Sequence, residues 1–405
     1  MKLPALIIIT SIASLQAFGL TESHKIELEN SMDKSRADVP VVIDIHTLAP
    51  GMHPTCCVVT VNGKEIASQL DDLDRDGVAD QAAFVVDIPA KGHLTASIEL
   101  SDEKEQNEYP PRVWGGFMLR SPKKGQYADI CEVTVPGHVD FYNMVQGHGP
   151  MFESELVGYR VYFNQKQTLD PYGKFNKGLE LEECTFYPND EQLARGFGDD
   201  VLLAGNSCGI GAFKGWNGKE ATHIEPVKSR TERLVASGPV RTIVEVEVDD
   251  WDYQGAKIDM INRYTLYAGH RDLQIDVEFD SELADQTFST GVERVKGDKT
   301  LSWRDNDGLV ASWGTHWPVN DTVKYAKETI GIATYVPKKY IIGKADTPDD
   351  FMYVVSAPGE KSLTYHTMFT SKKETFGFDD SDSWFAYLPQ WREEIENPIK
   401  VTIIE

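Results

Sequence analysis

Residues 241–279 read RTIVEVEVDDWDYQGAKIDMINRYTLYAGHRDLQIDVEF. Three segments here, 241–248, 261–267 and 273–279, are short and rich in β-branched and aromatic residues, with no helical period between them. They predict consecutive strands. Working outward, 130–135, 156–163, 330–335, 352–356 and 399–404 read the same way, and the best helical pattern covers only 382–396. Many strands without intervening helices predict an all-β protein of large antiparallel sheets packed face to face, with a long concave face on which an extended chain can lie. Toward the N-terminus, 41–46, 57–61, 82–88 and 94–100 predict a small β-sandwich over residues 25–100. The polar stretch ending in Pro110-Pro111 reads as a linker over 101–113, which leaves 114–405 for the large antiparallel β-sandwich.

The chain opens with Met1-Lys2, an apolar run over 3–12 and small residues toward Gly19. That order predicts a signal peptide over 1–19 and export, to the periplasm in a two-membrane cell. The run is too short to span a bilayer, and nothing downstream approaches roughly 18 apolar residues, so no membrane insertion is expected. The formal charge is -24, with no Lys/Arg-rich stripe to offset it, which argues against nucleic acid as a partner. The five cysteines include the adjacent pair Cys56-Cys57, which would point to opposite faces of a strand, and no CxxC occurs. Small buried residues are the expectation, not a cysteine metal cluster.

Two stretches carry candidate chemistry. The first, Asp72, Asp74, Asp76 and Asp80 with Gly77, has calcium-loop spacing, although the twelfth position holds Ala83 instead of a bidentate Glu. Structural calcium and a solvated acidic turn are the two readings, and no other cofactor is required. The second runs from His148 to Lys174. Alternation in 156–163 places Val157, Tyr159, Val161 and Phe163 toward a core, and Gly158, Arg160 and Tyr162 on a polar face. If 170–174 is extended, Asp170, Tyr172 and Lys174 also share a face. With His148 and Glu153 this is a supply of acids, bases and anion clamps, against the plainer reading of a salt-bridged sheet surface. Trp313 and Trp317 flank His316, and an exposed indole in an exported β-sandwich is a platform for a sugar ring; burial in the core is the alternative. No GxSxG elbow, phosphate loop, dinucleotide fingerprint or HExxH is present.

The acidic turn 71–77, His148-Gly149-Pro150, Glu153-Ser154-Glu155, the strand 159–163, Asp170-Pro171-Tyr172-Gly173-Lys174 and 237–241 together resemble a family of exported proteins of bacterial polysaccharide-utilisation systems, long labelled a domain of unknown function. One branch is described as the oligosaccharide dehydratase of ulvan degradation. The resemblance covers nearly all of the chain after residue 19. It implies a mutarotase-like super-sandwich behind a small N-terminal β domain, and an anionic, uronate-containing oligosaccharide as partner. It also implies removal of water across C4–C5 of the non-reducing-end uronate. That chemistry needs a cation on the substrate carboxylate, a base for the C5 proton and an acid for the departing C4 hydroxyl. Arg160 and Lys174 are expected as the clamp, His148 as the base and Tyr162 or Tyr172 as the acid, with Glu153 orienting His148. Trp313, His316 and Trp317 are expected to hold the sugar. A polysaccharide lyase and a non-catalytic sugar-binding protein are the alternatives; the sequence assigns no oligomeric state.

Overall fold

The computed structural model describes residues 19–404 except Lys124, so the expected signal segment lies outside the described residues apart from Gly19. The protein is all-β: a small sandwich followed by a large one. In the opening stretch, strands Arg241–Tyr253, Ala256–Tyr267 and Asp272–Phe279 pair antiparallel in sequence order. Along the first, Val244, Val246 and Val248 enter the core. The intervening Glu245 faces the other way and receives Arg233 at 3.2 Å and Arg263 at 2.7 Å. Period-two alternation thus supplies both the core and the charged outer face.

These strands form the middle of a nine-stranded sheet running from Glu132–Pro136 at one edge to Asp298–Arg304 at the other. Two five-stranded sheets cover its inner face. One is ordered Asp199–Asp200, Leu169–Gly173, Gly158–Val161, Met151–Ser154, Val113–Gly116; the other is centred on Phe288–Glu293. A single apolar core joins all three, with Phe152, Tyr159 and Val161 from the first small sheet and Phe288, Val292 and Tyr353 from the second meeting Val246, Leu266 and Ile275. The helix Ser381–Glu396 starts in a capping box on Asp380 and lies on the opposite face of the nine-stranded sheet, where Trp384, Leu388 and Trp391 pack on Leu309, Ala311 and Trp313.

In the small domain a five-stranded and a three-stranded sheet enclose Ile26, Val41, Val59, Phe84 and Ile98. The end of the chain departs from the expected boundary. Strand Lys400–Ile403 leaves the large body and pairs with Thr21–Glu29, Ile26 opposite Ile403, while Ile399 enters the small core. A buried ion pair joins the domains: Arg241 Nε donates to Asp71 at 2.7 Å, and Gln69 Oε1 accepts from the backbone N–H groups of Val240 and Arg241. Cys56, Cys57, Cys184 and Cys208 are buried, Cys131 is exposed, and none is in a disulfide.

Candidate functional site

In the sheet that carries Arg160, Phe152, Tyr159 and Leu169 point into the core, so Met151, Arg160, Asp170 and Tyr172 point the other way. That second face is covered by segment 175–200, whose Leu181, Cys184 and Phe186 pack on Met151 and Tyr172. The face expected to be open is therefore roofed, and only its Arg160 end reaches a cleft.

There Arg160, 3 % exposed, is enclosed by acceptors. Its Nε donates to Asp170 Oδ2 at 2.9 Å, Nη2 reaches the same oxygen and Asp200 Oδ2 at 3.2 Å, and Nη1 donates to the Tyr187 hydroxyl at 2.6 Å. Phe186 lies 3.9 Å beneath the guanidinium carbon. The expected two-pronged clamp on a substrate carboxylate is corrected on this point: Asp170 already occupies the fork. Tyr162 donates its hydroxyl proton to the same Asp170 oxygen at 2.6 Å, and burial together with that carboxylate holds its phenol far above the usual range. Burial and the neighbouring Asp170 raise Asp200 well above an ordinary carboxyl.

His148 stands beside this cluster. Its loop sits down on the strand because residue 149 is glycine: a Cβ there would lie 1.7 Å from the Val161 carbonyl oxygen. His148 Nδ1 lies 3.0 Å from the Tyr142 carbonyl, which can only accept, so the proton is on Nδ1 and Nε2 carries the lone pair. Burial, with Arg160 and Arg120 nearby, lowers the imidazole to about 4, against the backbone hydrogen bond, so the ring is neutral at pH 7. It stacks on Tyr142 at 3.9 Å and meets Tyr162 and Tyr187 edge-on at 6.2 and 6.3 Å.

Those three tyrosines, Arg160, Asp200 and Lys166 line a cleft of about 550 Å³. Residues 203–205 form a wall shared with a second chamber of about 440 Å³, which holds His316, Trp317, Glu293 and Lys296. His316 is buried and its Nε2 lies 3.2 Å from the Val201 carbonyl.

The other expected site residues lie elsewhere. Lys174 is fully buried and its ammonium is consumed by Glu153, Ser154 O and Gly178 O. Glu153 pairs with Lys174 and caps the backbone N–H groups of Glu180 and Leu181 at 2.7–2.9 Å, so it does not orient His148. Tyr172 is buried under the roof and donates to Glu180 at 2.8 Å, away from the cleft. Trp313 is 6 % exposed beneath the C-terminal helix and offers no face to a sugar. In the acidic turn, Asp72, Asp74 and Asp80 bring carboxylate oxygens within 4.8 Å of one another, a donor set suited to a hard cation. Asp76 instead accepts from Val78 N at 2.8 Å and stands outside that group, and Ala83 is buried in strand Gln81–Ile88.

Sequence reasoning missed Asp200, Tyr142, Tyr187 and Glu293. Asp200 lies 40 residues beyond Arg160 in a two-residue strand without a motif; the acidic doublet Asp199-Asp200 was the only local signal.

"Uncharacterized protein P7" of Formosa agariphila is 22 % identical over 413 residues, covering 95 % of this chain and 94 % of the relative. Two solved structures from Enterococcus faecalis, a protein in glycosyl hydrolase family 38 and an alpha-mannosidase, align with TM-scores of 0.48 and 11 % identity over 95 % of this chain. The chain spans about half of their length, 47 % and 46 %. A match to the family described as "Domain of unknown function (DUF4861)" extends over residues 28–401, and the protein belongs to that family.

Proposed function

We propose that the protein is an exported carbohydrate-active enzyme that removes water from the non-reducing-end uronate of an acidic, ulvan-type oligosaccharide, leaving a 4,5-unsaturated sugar. The observation that carries this reading is His148, a neutral imidazole with its Nδ1 proton pinned, packed against three tyrosines that line the cleft. In the proposed step Nε2 takes the C5 proton, the C–H electron pair becomes the C4=C5 bond, and the C4–O bond breaks as the hydroxyl of Tyr187, which lines the cleft, gives its proton to the departing oxygen, so that water leaves; the proton held by His148 then restores the phenol. The substrate carboxylate must be neutralised for C5 to acidify. Nη1 of Arg160 is the reachable edge of the guanidinium, because its close partner is the hydroxyl of the exposed Tyr187, which a carboxylate can displace. Lys166 lines the same cleft.

A polysaccharide lyase is the second reading, favoured by the chamber of Trp317 that adjoins the cleft across residues 203–205. Product mass separates the two. Incubation with uronate-ended oligosaccharides should yield one product lighter by a single water and absorbing in the unsaturated-uronate band. Two shorter products mean a lyase, and unchanged mass means a binding protein.

A further inference from the structure

The chamber beyond residues 203–205 is built around Glu293, which is 5 % exposed. Ser207 Oγ lies 2.7 Å from the Ala204 carbonyl oxygen and 2.6 Å from Glu293 Oε2, and accepts the Gly209 N–H at 3.0 Å. One hydroxyl has one proton. Directed at Ala204, whose carbonyl can only accept, it leaves the proton in the contact with Glu293 to come from the carboxyl group itself. Burial, with Asp350 and Asp170 nearby, pushes Glu293 up to about 8 against the lowering effect of the Ser207 hydrogen bond. A neutral acid at this position does not repel an anionic chain. The same chamber holds Trp317, half-buried with Lys327 5.8 Å over its ring, and the exposed Lys296, paired with Asp349.

We propose that this chamber is the subsite for the next sugar of the acidic oligosaccharide, with Trp317 as the stacking face, Lys296 as the cation for that sugar's anionic group and Glu293 as an uncharged hydrogen-bonding acid. The inference rests on the uronate reading above and adds to it that the protein recognises at least two rings. The groups facing Glu293 are Ser207, Asp350, Asp170, Lys296 and, across the chamber, His316 and Asp349.

The test is calorimetric binding of two probes, methyl glucuronide with one ring and a glucuronate-ended trisaccharide, each measured from pH 6 to 9. The trisaccharide should bind more tightly. Trp317→Ala should weaken it roughly tenfold, the scale of one lost aromatic contact, and leave methyl glucuronide unchanged, while Trp317→Phe should keep most of the affinity. Trisaccharide affinity should fall as pH rises through about 8, where Glu293 ionises, and Glu293→Gln, which has no proton to lose, should lose that fall. Equal affinity for the two probes, or an equal loss on both in Trp317→Ala, overturns the subsite alone. Wild-type protein that binds neither probe overturns the uronate reading and the subsite with it.

Discussion

Arg160 and Asp170 stand opposite each other in adjacent antiparallel strands, and Asp170 Oδ2 receives both Nε and Nη2 of the guanidinium and the Tyr162 hydroxyl. One carboxylate oxygen thus gathers three donors, while Oδ1 of the same group is buried without a partner among the described residues. The pair fixes the cleft wall by electrostatics inside a low-dielectric site, where removal of either charge strands the other.

Arg160→Ala should therefore lower unfolding free energy by about 3–5 kcal/mol, because Asp170 and Asp200 lose their cation in a buried setting. Arg160→Lys should recover little, since one ammonium cannot span Asp170, Asp200 and Tyr187. Denaturant unfolding monitored by tryptophan fluorescence measures this, and wild-type stability in Arg160→Ala would refute the structural role.

His148 yields a pH prediction. Its folded-state value, about 4, lies below the ordinary 6.5, so the neutral base persists as pH falls until about 4. The acidic limb of kcat/KM should accordingly fall near pH 4. The sign for stability is opposite in form: between 6.5 and 4 the unfolded chain binds the proton more readily, so His148 makes the fold less stable as pH drops through that window. An NMR titration of the ring should show the same midpoint, and a midpoint near 6.5 would contradict the buried neutral state.

Lys174 and Glu153 should behave as structure, not catalysis. Lys174→Met strands a fully buried Glu153 and should cost several kcal/mol, about the 3–5 expected for breaking a buried pair. The double variant Lys174→Met with Glu153→Leu should regain part of that loss in a thermal melt. A stable Lys174→Met protein with abolished turnover would return Lys174 to the site.

The acidic turn predicts a chelator response confined to three residues. Chelation should lower the melting temperature of wild type but not of Asp72→Asn, whereas Asp76→Asn should keep the response because its carboxylate is turned to Val78. A melt indifferent to chelator and added calcium leaves a self-capped turn, with Asp72 serving Arg75 N and Gly77 N.

The strand order around 241–279 was legible because Val244, Val246 and Val248 alternate with charged residues over a long run. Alternation sets Arg160 beside Tyr162 and Asp170 beside Tyr172, but the strand pairing that puts Arg160 opposite Asp170 is not in either segment. The roof was not legible either: nothing in 175–200 announces that Leu181, Cys184 and Phe186 fold down over Tyr172, or that Gly178 closes on Lys174, so these looked as available as Arg160. Trp313 shows the limit for aromatics. Exposure of an indole depends on whether a distant helix covers it, and the helix Ser381–Glu396 does. Asp200 reaches the cleft, and Glu293 the second chamber, through long-range pairing, which local pattern does not encode.

In the proposed reaction His148 Nε2 removes the C5 proton of a terminal uronate. The most direct measurement is mass spectrometry of a uronate-ended oligosaccharide incubated in deuterated water with wild type and with His148→Ala, each checked by a melting curve. Wild type should give a product lighter by one water. Folded His148→Ala should form it slower by about a hundredfold or more, the scale of a lost general base. A folded His148→Ala protein that dehydrates the substrate at the wild-type rate would contradict the account.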